Sequence, residues 1–133
     1  MKKIIVIDGQ GGNIGKQLVT RIREELPDAY IRAVGTNSIA TGNMIKAGAD
    51  EAATGENAVI VAARDADIIT GPVGIIVADA LLGEVSSAMA KAVSDSKAIK
   101  VLIPVNKCDI LIAGVKDKSI SELIEAAIRQ IVL

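Results

Sequence analysis

Apolar positions along this chain alternate between short unbroken runs and longer stretches with a helical repeat. Lys3-Ile-Ile-Val-Ile-Asp8 is a continuous apolar run ending at a glycine, the pattern of a strand covered on both faces. Over about residues 13–26, Ile14, Leu18, Val19, Ile22 and Leu26 share one stripe while Arg21, Arg23 and Glu24 face away. That spacing predicts an amphipathic helix, stopped by Pro27-Asp28. A second strand is expected over about residues 30–35. Asn37 or Ser38 is placed to cap a second helix that ends near Gly48, with Gly42 inside it. Residues 51–53 read as a very short third strand. Gly55-Glu56-Asn57 then opens a third helix with Val59, Ala62, Ala63 and Ala66 inward. Residues 67–70 form the fourth strand and Gly71-Pro72-Val73-Gly74 its turn.

The second half is read the same way. Residues 75–82 are either a helix or an irregular apolar segment. Residues 84–94 predict a helix with Val85, Ala88, Met89, Ala92 and Val93 inward. Residues 99–105 are a fifth strand with Pro104 near its end, and Asn106-Lys107-Cys108 is expected to turn the chain into a sixth over residues 109–113, as an antiparallel hairpin. Ser119-Ile-Ser-Glu122 has the spacing of a capping box and starts a last helix striped by Ile120, Leu123, Ile124, Ala127, Ile128 and Ile131. Strands alternating with helices predict a doubly wound, mostly parallel Rossmann-like α/β sheet. The expected strand order is 3-2-1-4-5 with an antiparallel edge strand 6, as one domain over residues 1–133.

Composition narrows the function classes. Half of the 133 residues are apolar, almost all Ile, Val, Leu and Ala, with Tyr30 the one aromatic residue and no histidine. The lack of His excludes a His-dependent triad and a His-based zinc site. Fifteen basic residues face sixteen acidic ones without a basic stripe, and apart from Tyr30 there are no aromatics for bases to stack on, so no nucleic-acid partner is expected. The single cysteine, Cys108, rules out an internal disulfide and suits a reducing compartment. The first strand begins at Ile4, which leaves no room for a signal peptide. The longest apolar stretch, residues 73–82, is broken by Asp79 and is about half of the ~20 residues a membrane helix needs. A cytoplasmic protein without a membrane partner is expected. A chain this apolar for its size also points to a homo-oligomer.

The candidate chemistry lies in Gly9-Gln10-Gly11-Gly12-Asn13-Ile14-Gly15, between the first strand and the first helix. A phosphate there would meet free backbone N–H groups and the positive end of the helix dipole. A G-x-G-x-x-G reading fails because Ile14 takes the third position. G-x-x-G-x-x-G fits Gly9, Gly12 and Gly15, and resembles the loop of extended short-chain dehydrogenases and related folds. A P-loop fails at Gln10 and Gln17. For NAD(P), no acid ends the second strand; Thr36 or Asn37 stands there, either to bond a ribose or 2′-phosphate or to cap the second helix. The Tyr-x-x-x-Lys pair of short-chain reductases is absent. Asp8 would repel a phosphate and either accepts N–H bonds from its own loop or holds a metal ion.

The crevice of such a sheet lies where strand order reverses, between strands 1 and 4, which brings Gly71, Pro72 and Val73 opposite the glycine loop. Strand 5 ends on the same side, near Asn106, Lys107 and Cys108. Lys16 and Asn57 are supporting polar candidates. Asp79 and Glu84 read as solvent-facing carboxylates, with an acid pair as the alternative. For a reacting group, only Asp8, Lys107 and Cys108 are suitably placed.

Asp8-Gly-Gln-Gly-Gly-Asn-Ile-Gly-Lys16, Gly35-Thr-Asn37, Lys46-Ala-Gly-Ala-Asp50, Ala53-Thr-Gly-Glu-Asn-Ala58, Gly71-Pro-Val-Gly74 and Ile103-Pro-Val-Asn-Lys-Cys108 together resemble the DUF3842 family of small bacterial proteins. The resemblance runs almost the whole chain. It implies a stand-alone bacterial cytosolic protein, and assigns no reaction, substrate or catalytic residue. Asn13 departs from a further glycine expected in the family's loop; Asn tolerates a left-handed backbone. Two functional readings follow. One is a module that binds a nucleotide, NAD(P) or another small phosphate-bearing ligand through Gly9, Gln10, Gly11, Gly12, Asn13, Ile14, Thr36, Asn37, Gly71, Pro72, Val73 and Asn106. The other is a ligand-free interaction or oligomerisation protein on the same frame.

Overall fold

A computed structural model describes residues 2–105, 110–115 and 117–133. Among them, five strands and five helices alternate: β1 (Lys3–Asp8), α1 (Asn13–Glu25), β2 (Tyr30–Gly35), α2 (Ser38–Lys46), β3 (Glu51–Thr54), α3 (Glu56–Ala63), β4 (Ile68–Pro72), α4 (Ser87–Asp95), β5 (Ile99–Ile103) and α5 (Ile120–Ile131). Every described strand pair is parallel, and the order is β3-β2-β1-β4-β5, as expected from the alternation of elements.

The sheet is covered on both faces, which explains its unbroken apolar runs. Ile4 and Val6 of β1 face α1, α2 and α5, together with Leu18, Met44 and Ile128. Ile5 and Ile7 face α3 and α4, together with Val59, Met89 and Val93. On β4, Gly71 carries no side chain because a Cβ there would strike the carbonyl oxygen of Ile7. Thr70, on the face of Val6 and Val101, is fully buried, and its hydroxyl has no hydrogen-bond partner among the described residues.

The expected antiparallel sixth strand does not form among the described residues. Residues 110–113 are not in a strand, and residues 106–109 lie outside the described residues. Two features take the chain off the sheet edge. Pro104 has no N–H to give to a ladder, and Val105 N–H folds back onto Ile103 O at 3.0 Å.

The ambiguous segment 75–82 is mostly not helical. A 3₁₀ turn covers Val73–Ile76. Tight turns follow, with Asp79, Leu81 and Leu82 in left-handed conformations (φ 66°, 56° and 56°) and Gly83 at φ 88°. The next helix begins only at Ser87, because Ser86 caps it by accepting Met89 N–H; Ala88 is exposed rather than inward. No helix among the described residues is long and apolar enough to cross a membrane.

Candidate functional site

Strand order reverses between β1 and β4, and a cleft of about 280 Å³ opens beside their carboxyl ends. One wall is Asp8 and the loop Gly9, Gln10, Gly11, Gly12, Asn13 and Ile14; the other is Pro72, Leu81, Val105 and Ile120. Seven of the residues expected from sequence therefore share one cleft: the six loop residues and Pro72. Gly71 is buried and does not line it, and Val73 turns away at the start of the 3₁₀ segment. Thr36 and Asn37 sit on the opposite flank of the loop. Asn106, Lys107 and Cys108 lie outside the described residues. Lys16 and Asn57 are exposed and do not line the cleft.

The loop is a tight turn closed by Gly12 N–H to Gly9 O at 2.9 Å. Gln10 takes a left-handed φ of 50° and Gly12 one of 72°. The free backbone N–H groups expected in this loop are partly taken by the chain's own carboxylates. Asp8, only 5% exposed, accepts Gly9 N–H at 2.8 Å and Gly15 N–H at 2.7 Å. Glu84 accepts Gln10 N–H at 2.8 Å. What remains is specific: the N–H groups of Gly11, Asn13 and Ile14 have no hydrogen-bond partner among the described residues. An α-helix leaves its first N–H groups without internal partners, and a side-chain cap ordinarily takes one of them. At α1 the N-cap is Gly12, which has no side chain to give; Asp8, from the end of β1, takes the amide of Gly15, and those of Asn13 and Ile14 are left.

Glu84 is the residue beside the cleft that the sequence reading misplaced. It is not a solvent-facing carboxylate. Its Oε1 accepts the Gln10 amide, the Thr36 hydroxyl at 2.5 Å and Asn37 Nδ2 at 2.9 Å. The Thr36 hydroxyl first, and then the Gln10 amide, hold its carboxyl below the usual Glu range. Asn37 does two further things: its Oδ1 caps α2 by accepting Ala40 N–H, and its Nδ2 donates to Gln10 O. Of the two roles left open for Thr36 and Asn37, the described contacts are internal. One signal in the sequence pointed to Glu84: it is an acid in the connection leaving the carboxyl end of the fourth strand, where the crevice must lie. Asp79, its presumed companion, is exposed.

Among the described residues, no three His, Cys, Asp or Glu side chains gather as a metal-binding set. No curated protein matches the chain. Among solved structures, the chain is similar to a dodecameric FMN-dependent UbiX-like decarboxylase from Escherichia coli O157:H7. The two are 17% identical over 100% of this chain and 95% of that chain, with a TM-score of 0.48. The profile of the family described as a domain of unknown function, DUF3842, matches residues 3–132, and the chain belongs to that family.

Proposed function

We propose that the protein binds a small phosphate-bearing molecule in the cleft between β1 and β4, with the phosphate on the amides of Gly11, Asn13 and Ile14. The observation that carries this reading is the start of a 13-residue helix whose Asn13 and Ile14 N–H groups, left over beside the one that Asp8 takes, border a cleft with an apolar far wall. Gly11 and Asn13 are exposed, so an anion reaches them without rearrangement. Three N–H donors and the helix dipole favour a phosphate. The apolar wall of Pro72, Leu81, Val105 and Ile120 suits the ring or chain that carries it.

Thermal shift with FMN, AMP, ATP, NAD, NADP and coenzyme A tests the reading. A ligand at 100 times its dissociation constant raises stability by about 2.7 kcal/mol. Gly11→Asp is the informative variant, because a Cβ at Gly11 meets nothing within 4 Å. The fold should survive it and the added carboxylate should repel the phosphate. If none of the six compounds moves the midpoint, the reading falls.

A second reading has its own observation. Leu82, 90% exposed, sits on left-handed backbone. An apolar side chain presented this way favours burial against another subunit, and a homo-oligomer would leave Leu82→Glu monomeric by analytical ultracentrifugation.

A further inference from the structure

The two flanks of the glycine loop are built differently, and the difference bears on what kind of phosphate compound fits. A dinucleotide bound at a strand-order reversal lies across the loop, with one nucleoside on each side and its ribose hydroxyls on an acid at the carboxyl end of β2. Here that flank is occupied by the protein. Glu84 Oε1 joins Gln10 N–H, Thr36 and Asn37 at one point. Asn37 Nδ2 also holds Gln10 O at 2.9 Å, and Asn43 Nδ2 holds Gly11 O at 2.8 Å. The Cα of Gly9 is covered as well: a methyl there would come within 2.8 Å of Leu81 Cδ1 and 2.9 Å of Glu84 Oε1, and would strike the Thr36 hydroxyl. A ribose on this side would have to displace all of these.

The wall is held by its own backbone. Left-handed Asp79, Leu81, Leu82 and Gly83 turn Leu81 inward against Gly9 and bring Glu84 to the loop. Asp79 N–H to Val85 O (2.7 Å), Gly83 N–H to Asp79 O (3.1 Å) and Val85 N–H to Ala80 O (3.1 Å) fasten the turn. Strain of this kind persists only where surrounding bonds over-determine it, and it gathers at ligand clamps. Leu81 stands where this wall meets the cleft, and beyond it the described lining, Pro72, Val105 and Ile120, is apolar.

From this asymmetry we infer that Glu84, with Thr36 and Asn37, sets specificity by closing the β2 flank, so that the cleft takes a mononucleotide or another ligand lying to one side of its phosphate and excludes dinucleotides. The inference rests on the phosphate-binding reading above. Calorimetric titration of AMP, FMN and ribose 5-phosphate against NAD, NADP and ADP-ribose tests it. At least one of the first three should bind at least tenfold more tightly than every one of the second three. That gap should narrow in Glu84→Ala. Wild-type protein that takes NAD or ADP-ribose as tightly as AMP or FMN overturns the closure while leaving phosphate binding intact. So does tight NAD binding that Glu84→Gln abolishes, since the carboxylate would then be a ribose acceptor. If none of the six binds, this inference falls, and the parent reading stands or falls by ATP and coenzyme A in the thermal-shift panel. Amide exchange without any ligand supplies the readout independent of binding. Glu84→Gln, which keeps a carbonyl acceptor, should leave Gln10 protected, and Glu84→Ala should speed its exchange at least tenfold. Unchanged exchange at Gln10 in a folded Glu84→Ala protein would mean that the wall does not exist.

Discussion

Gly12 and Gly11 are neighbours in one loop and have opposite reasons for lacking a side chain. Gly12 sits at φ 72°, and a Cβ on it would lie 2.7 Å from Ala40 Cα and 3.1 Å from Ala40 O, so the glycine is what lets α2 pack against the loop. Gly9 and Gly15 belong with it: a Cβ on Gly15 would meet the Met44 sulfur at 2.5 Å and Asp8 Cβ at 2.9 Å. A Cβ on Gly11 meets open space, at a backbone angle that any residue tolerates. The G-x-x-G-x-x-G spacing of Gly9, Gly12 and Gly15 is thus accounted for by packing, and the surface left for a ligand is carried by the glycine that the spacing passes over. A glycine motif mixes two physical requirements, and only coordinates separate them.

The largest effect should come from Gly12→Ala. A left-handed non-glycine residue costs about 1–2 kcal/mol, and forcing a methyl against backbone adds about 1–3 kcal/mol more. Urea denaturation should show a loss of about 3 kcal/mol; a loss under 1 kcal/mol would mean that the loop relaxes away from α2 freely.

Next in size, with the opposite sign, is Thr70→Val. Asp8 and Thr70 are the buried polar side chains among the described residues. Asp8 accepts two amides of the loop, whereas the Thr70 hydroxyl has no partner among the described residues. A buried hydroxyl without a partner carries its desolvation cost uncompensated. Replacing it with a methyl between Val6 and Val101 should therefore stabilise the protein by about 1 kcal/mol, read as a higher urea midpoint at unchanged slope.

Glu84→Gln should act through pH. The Glu84 carboxyl is held below its ordinary range in the folded protein, by Thr36 first. A group with a depressed folded pKa contributes stability that is present above its unfolded pKa and is lost as pH falls toward the folded value. Melting temperatures between pH 7 and pH 3 should fall in both proteins, because Asp50, Asp65, Glu122 and Glu125 are depressed in the same direction. The wild-type curve should fall more steeply. Parallel curves would show that Glu84 makes no bond to the loop that depends on its charge.

These residues also show what was legible beforehand. The five parallel strands and their order followed from unbroken apolar runs separated by amphipathic helices, and α5 from the Ser119–Glu122 capping box, which forms with both of its reciprocal bonds. Period and capping are local signals. The Leu81-Leu82-Gly83-Glu84 corner was not legible, because leucine carries no preference for left-handed backbone; tertiary bonds impose φ 56° on both. With that corner unread, Glu84 looked solvated, and Thr36 and Asn37 looked available to a ribose. The sixth strand does not form among the described residues, and Pro104, whose missing N–H was outweighed by the apolar pattern that followed it, was visible beforehand.

The smallest effect on stability, and the one that best separates the two glycines, is Gly11→Ala. With open space around the added methyl, its unfolding free energy should lie within about 0.5 kcal/mol of wild type. Binding should respond differently. Gly11 N–H is one of the spare donors, and a methyl beside it narrows the approach of an anion that the fold itself does not need. Fluorescence-monitored urea unfolding is poorly served by a chain whose single aromatic is Tyr30, so circular dichroism is the probe to use. Paired with a phosphate or AMP titration, it reads both quantities on one sample. A stability loss comparable to that of Gly12→Ala would place Gly11 among the packing glycines. Unchanged stability together with unchanged anion affinity would remove the ligand-facing reason for a glycine at this position.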